Sequence, residues 1–242
     1  MPQKDGNISL VSFFRFSRGN LRWGMKQMMV AQRRLNGTGG LVFHKMLGTG
    51  GGKGYSFKPD FGTYALLTVW EDHDMASKFE SGSEVMKDFR DHTIEIYSIF
   101  LAPIQSRGHW AKSQPFKVRE PDPDNKLLVV LTRATIKPRY YLHFWRRVGR
   151  VSRSHQGRPG LIFTKGLGER PWIMQVTFSV WDSEESMHAF AHNENGMHYE
   201  AIKTTRRKNG FREELYARFQ PLETRGSWFG NDPVGEILAK GN

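Results

Sequence analysis

The chemistry open to this chain comes from a short palette. Cysteine is absent, which removes disulfides, iron–sulfur ligation, cysteine nucleophiles, thiolate zinc and a thiolate-ligated haem. A metal would have to use histidine, carboxylate or tyrosine, and nine histidines are on offer. His188 and His192 are four residues apart, so on a helix they would point the same way and could share a metal. Both flank the apolar stripe of Met187, Phe190 and Ala191, with no third ligand at a suggestive spacing, and solvated surface is the preferred reading. His44 sits in a strand-like run, where a solvent-facing side chain is preferred over a pocket residue. His143 lies in an aromatic stretch. His198, in GMHYEAIKTTRR, follows a break at residues 193–196, where Met197, Ala201 and Ile202 give a resumed helix an apolar side.

Other residues carry weaker chemical signals. Arg15 and Arg133 each come late in a strand-like run, and their repetition suits a shared structural ion pair or a fixed anion contact. Phe13, Phe16, Trp145, Trp172 and Trp181 could line an apolar channel, or simply form core. GTGGGKG (residues 48–54) is not a phosphate-binding loop, because Leu47 stands where the first glycine is needed and Gly54 where Ser or Thr is needed. It reads as a lengthened hairpin loop.

The elements that must position these residues come in duplicate. GLVFHKMLG (residues 40–48) is answered by GLIFTKGLG (160–168), TVWEDHDMASKF (68–79) by SVWDSEESMHAF (179–190), IYSIF (96–100) by LYARF (215–219), and RGHW (107–110) by RGSW (225–228). The order is the same in both halves, which marks an internal duplication. In the first half the pattern predicts a strand over 8–16, a helix over 20–35, strands over 41–47 and 61–70, a helix over 72–92 and a strand over 93–103. The second half predicts a strand over 126–134, a helix of about fifteen residues opened by Pro138, strands over 160–167 and 172–181, a helix capped by Asp182 with Glu185, and a last strand over 211–220.

Both halves thus read β-α-β-β-α-β, the order of a ferredoxin-like unit. The expected fold is α+β, two tandem ferredoxin-like repeats whose sheets face each other in a fused barrel of the dimeric α+β type. Its boundaries would be a first repeat over 1–105, a proline-bearing linker over 106–125, a second repeat over 126–228 and a C-terminal tail over 229–242.

Lysine plus arginine outnumber acids 36 to 24, a net +12, which favours anionic partners: nucleic acid, an anionic membrane leaflet or an acidic redox protein. A run of Arg146, Arg150 and Arg153 opposite Tyr141, Trp145 and Val148 suits docking on a membrane or on an acidic ferredoxin, as well as an ordinary surface helix. No apolar run is long enough to cross a bilayer and the start lacks an export signal, so a cytoplasmic location is expected. A tandem RNA-recognition module is the main rival, but KGYSFKPD (residues 53–60) breaks the relevant strand motif and facing sheets would bury the aromatics that stack on bases. A barrel that binds a lipophilic ligand without turnover is a third reading.

The stretches LTRATIKPRYYLHFWRRVGRVS (131–152), PWIMQVTFSVW (171–181) and EELYARF (213–219) resemble the spheroidene monooxygenase family of carotenoid biosynthesis. The resemblance runs over most of the chain and is densest in the second half. It implies oxidation by O₂ of C2 at the end of an acyclic carotenoid, to alcohol or ketone, with haem b as the iron cofactor and ferredoxin as electron donor. It also implies His198 as the axial iron ligand, with His143 as fallback and Arg133 as a cofactor contact or catalytic group. The aromatic set Phe13, Phe16, Trp145, Trp172 and Trp181 would then line the polyene channel, and no nucleic-acid partner is expected.

Overall fold

The computed structural model describes residues 6–51, 59–141, 159–170, 173–191, 203–204 and 207–240. His143, Trp145, Arg146, Arg150, Arg153, Trp172, His192 and His198 lie outside those residues. The eight strands are β1 (Ile8–Phe16), β2 (Leu41–Gly50), β3 (Pro59–Trp70), β4 (Thr93–Gly108), β5 (Leu128–Ile136), β6 (Leu161–Arg170), β7 (Met174–Trp181) and β8 (Phe211–Gly226). Five α-helices stand among the described residues: α1 (Leu21–Leu35), α2 (His73–Gly82), α3 (Glu84–His92), α4 (Glu184–Ala191) and the short α5 (Gly235–Leu238).

The fold is α+β, with all eight strands in one closed antiparallel barrel of order β1-β3-β2-β6-β7-β5-β8-β4. The first-half order β4-β1-β3-β2 recurs as β8-β5-β7-β6. Even the register is repeated: Ile8 pairs Trp70 as Leu128 pairs Trp181, and Met46 pairs Leu66 as Gly166 pairs Thr177. The barrel closes through long β4–β8 pairing and a short β2–β6 contact at Gly48↔Gly168 and Thr49↔Leu167.

Each strand sends alternate residues inward and outward. In β1, Val11 and Phe13 enter the barrel core, while Leu10, Phe14 and Phe16 face the helices of the first half. Both faces of β1 are therefore covered, and all of its residues but Arg15 are buried. Inside, Phe13 packs edge-on against Phe163, Phe178 and Trp228 at 5.1, 5.4 and 5.8 Å between ring centroids. The inward aromatics are buried and present no platform for nucleic-acid bases.

Several elements differ from the sequence expectation. The long helix over 72–92 is two helices, because Ser83 is extended and its Oγ accepts the Met86 amide at 3.2 Å, capping α3. The helix cap in the second half is Ser183 rather than Asp182, its Oγ accepting the Ser186 amide at 3.1 Å. Strands β4 and β8 run on to Gly108 and Gly226, whose φ angles of 96° and 82° lie in the left-handed region. A Cβ there would strike the carbonyl oxygens of Glu214 and Ile96, so only glycine fits. Each glycine leads into a matching turn, Trp110↔Ser113 and Trp228↔Asn231.

The segments expected to be linker and tail are packed against the barrel. Trp110, Phe116 and Val234 are buried in its core. The Tyr97 hydroxyl donates to Asp232 at 2.7 Å and accepts from the Val234 amide at 3.2 Å, tethering the chain after β8 to the first half. Burial and the neighbouring Asp232 carboxylate push the Tyr97 phenol far above its ordinary range, so it serves here as a neutral donor.

Candidate functional site on the outer face of the second half

The repeated register allows the two outer sheet faces to be compared position by position. In the first half the layer between sheet and helices is filled. Phe14 stacks on Phe89 of α3 at 4.0 Å, Phe16 packs edge-on against Tyr64 at 5.7 Å, and Met46 and Leu66 are buried beside them. The matching positions of the second half read differently: Phe14 becomes Ala134, Met46 becomes Gly166, Tyr64 becomes Gln175 and Leu66 becomes Thr177. Four large apolar side chains are thus exchanged for small or polar ones on one contiguous patch of β5, β6 and β7.

The other end of that face remains apolar. Leu128, Val130 and Trp181 pack with Met187 of α4, and with Leu161, Phe190 and Ala191 around them. The indole Nε1 of Trp181 donates to Ser179 at 3.0 Å, as Trp70 does to Thr68 at 2.8 Å, so this end keeps the construction of the first half. Along β8, Tyr216 and Arg218 stand where β4 has Ser98 and Phe100. Arg218 donates to the Tyr216 hydroxyl at 2.7 Å and to Glu184 at 2.5 Å, and Glu184 also contacts His188 at 3.0 Å. Those partners hold the Glu184 carboxyl below its ordinary range, against a smaller opposing effect of burial. The connection from β7 to β8 is longer in sequence as well: Trp181 to Phe211 spans 211 − 181 = 30 positions, against 93 − 70 = 23 from Trp70 to Thr93.

The residues singled out in the sequence fall into different compartments. Phe13 is in the barrel interior, Phe16 lies under α1 in the first half, and Trp181 is on the outer face of the second half. The structure does not bring these three to one wall. Arg133 points into the barrel with its side chain 2% exposed, paired with Glu213 and, at 3.4 Å, with Glu169, which also bonds Lys45 and the Trp110 indole. It is therefore on the opposite side of β5 from Ala134. Arg15 pairs with Glu95, which matches Glu213 in register, although Arg15 itself matches Thr135 and not Arg133. Burial opposes ionisation of Glu213, but the Lys112 and Ala111 amides and Arg133 outweigh it and hold the carboxyl below its ordinary range.

The five described histidines have partners of their own. His44 bonds the Gln32 carbonyl at 3.0 Å, and burial lowers its pKa, so it is a neutral first-half residue. His92 stacks on Trp23 at 4.1 Å. His73 pairs with Glu223, His188 with Glu184, and His109 donates its amide to Glu214. Among the described residues no group of three or more metal-ligating side chains occurs. A shallow cleft beside α2 and α3 is lined by Glu80, Arg90 and Arg225, whose charges pair with one another.

The small-for-large patch was missed in the sequence, although part of its signal was visible. GLVFHKMLG and GLIFTKGLG differ at Val42/Ile162, His44/Thr164 and Met46/Gly166, and the last change is the one on the patch. Ala134 and Gln175 emerge once the register aligns Phe14 and Tyr64 with them.

Comparison with known proteins gives these observations a family. No family model matches the chain. Spheroidene monooxygenase from Cereibacter sphaeroides is 38% identical over 229 residues, covering 94% of this chain and 71% of that protein. Spheroidene monooxygenase from Rhodobacter capsulatus is 38% identical over 231 residues, covering 94% and 95%. The enzyme of that name from Rubrivivax gelatinosus is 34% identical over 86% of this chain and 79% of its own length. Among solved structures, aldoxime dehydratase OxdRE in complex with butyraldoxime shares the fold with a TM-score of 0.63 at 9% identity, over 98% of this chain and 86% of that one. Identity of 34–38% over most of the chain and of these three enzymes leads to one conclusion: the chain belongs to the spheroidene monooxygenase family.

Proposed function

We propose that this protein is a haem-dependent monooxygenase that oxidises C2 at the end of an acyclic, spheroidene-like carotenoid, with the cofactor held against the outer face of β5–β8. Family membership supports the reaction class and substrate. The observation that carries the site is the exchange of Phe14, Met46, Tyr64 and Leu66 for Ala134, Gly166, Gln175 and Thr177. A planar, mostly apolar group with charged edges suits a layer that has lost side-chain volume, keeps an apolar end at Val130 and Trp181, and gains amide and hydroxyl groups.

In this reading the two halves are tandem ferredoxin-like repeats, over 1–105 and 126–228, of one ancestral unit. The first keeps its full core as a scaffold and the second uses the same layer for a ligand. His198, outside the described residues, would hold the haem iron, as the family resemblance implies. Haem would supply activation of O₂, which no side chain can perform. Each oxygen insertion into a C–H bond takes up O₂, two electrons and two protons and releases water, so an external reductant is required, and a ferredoxin fits a chain of net +12. Two insertions at one carbon followed by loss of water from the diol would give the ketone. The protein's own part is to bind and orient: Leu128, Val130 and Trp181 exclude water at the apolar end, and Arg218 with Tyr216 forms the polar edge.

The test is the visible spectrum of protein purified with haem supplied, before and after dithionite and CO, together with carotenoid turnover. A stoichiometric Soret band that shifts with CO, altered in His198→Ala, and product oxidised at the carotenoid end are expected. Turnover by haem-free protein would overturn the cofactor; haem uptake with no oxidation of any acyclic carotenoid would overturn the substrate.

A further inference from the structure

Helix α1 has two distinct sides. Gly24, Gln27, Ala31 and Leu35 are buried against the sheet. On the opposite side, Arg22, Met25, Lys26, Met29 and Arg33 recur at the three-, four- and seven-residue spacings of one helical stripe, and all five are exposed. The helix contains no acidic residue at all. Two of its three methionines, Met25 and Met29, are 53% and 65% exposed, and they stand out because such side chains ordinarily turn inward. At the start of the helix Leu21 approaches Gly62 of β3, and the adjacent Phe61 is 55% exposed. The apolar groups thus lie within a fence of cations.

We infer that this stripe is a docking surface for an anionic phospholipid membrane. Helices that lie in an interface combine an apolar strip with flanking lysine and arginine, and each such cation near an anionic leaflet adds to the attraction. Two methionines and one phenylalanine reach only a short way into the headgroup layer, so the attraction is mainly electrostatic and salt-sensitive. Asp88 pairs with Arg34 at the edge of the helix, whereas Arg22, Lys26 and Arg33 of the stripe have no ion pair among the described residues. The surface is on the first half and stands apart from the oxidation chemistry proposed for the second, so it can be tested without turnover.

The experiment is co-sedimentation of the full chain with vesicles of phosphatidylglycerol and phosphatidylcholine, or of phosphatidylcholine alone, at low and high salt. Circular dichroism confirms folding of each variant. Wild type is expected to bind the anionic vesicles, to lose most binding at high salt and to ignore the neutral ones. Arg22→Gln/Lys26→Gln/Arg33→Gln should weaken binding at least tenfold, and Met25→Ser/Met29→Ser a few-fold. No binding of wild type to anionic vesicles, equal binding to neutral ones, or undiminished binding of the charge variant would each overturn the inference.

Discussion

The two halves share strand order, register, bulges, glycine turns and tryptophan bonds, yet differ in what lies between sheet and helices. The first half fills that layer with Phe14, Phe16, Met46, Tyr64, Leu66 and Phe89; the second replaces the matching Phe14, Met46, Tyr64 and Leu66. A duplicated unit has to be stable only as a whole. One copy can therefore retain the packing that holds the fold while the other gives some of it up for a ligand.

The contrast is sharpest where packing is removed from the filled half. Phe14→Ala should cost about 3–5 kcal/mol of unfolding free energy, seen as a lowered denaturant midpoint. A cost near zero would mean that the first-half layer is not the stabilising one. The tether offers a smaller effect. Tyr97 corresponds in register to Leu215, which has no hydroxyl, so the bond to Asp232 belongs to one half only. Tyr97→Phe should cost about 2 kcal/mol, as for a hydrogen bond to a charged group.

The acidic side of the stability profile separates what the halves share. Glu95 and Glu213 both resist the effect of burial through backbone amides and an arginine, and both carboxyls are held below their ordinary range. A depressed carboxyl contributes fully above its unfolded pKa and loses that contribution as pH falls through the folded one. Glu213→Gln and Glu95→Gln should therefore each lower stability at neutral pH and flatten its decline in acid. A pH–stability curve with unchanged slope would contradict the pairing.

The smallest effect concerns two matching lysines. Lys45 bonds Glu169 at 3.4 Å, whereas Lys165, 8% exposed, has no ion pair among the described residues and lies 5.3 Å from the Trp228 ring. Burial lowers the Lys165 pKa, with Arg15 adding to the shift and Asp60 opposing it. A lysine with a lowered folded pKa penalises the native state below that pKa, and the penalty fades as pH rises towards the unfolded value. Lys165→Met should thus raise the melting temperature slightly at neutral pH, with the gain shrinking in alkali, while Lys45→Met should lower it.

Much of this architecture was legible because duplication exposes it. The echoed motifs mark β2–β4 and β6–β8 in order, apolar runs mark β1 and β5, and two apolar sheet faces anticipate a barrel with helices outside. Lengths were less legible: β4 and β8 continue past Pro103 and Gln220 because each extension pairs with the expected part of the other strand across the halves, Gly108 with Leu215 and Gly226 with Tyr97, a long-range contact that local pattern does not encode. The helix break at Ser83 was hidden because Ser83 satisfies an amide instead of forming an apolar gap. For the site, a side-by-side reading of the strands pairs Arg15 with Arg133, but the barrel register places Arg133 opposite Leu215 just as Phe13 is opposite Tyr97. Chemically conspicuous residues drew attention to the barrel interior, whereas the informative positions are the plain Ala134 and Gly166, visible only as departures from the other copy.

The most direct measurement is haem titration, followed by absorbance, of wild type, Ala134→Phe/Gly166→Met and the first-half control Met46→Leu, each with a thermal melt. The doubly filled variant is expected to keep a cooperative melt and lose haem binding by at least tenfold, while the control binds as wild type does. Unchanged haem binding by the folded, filled variant would contradict the placement of the site on the outer face of the second half.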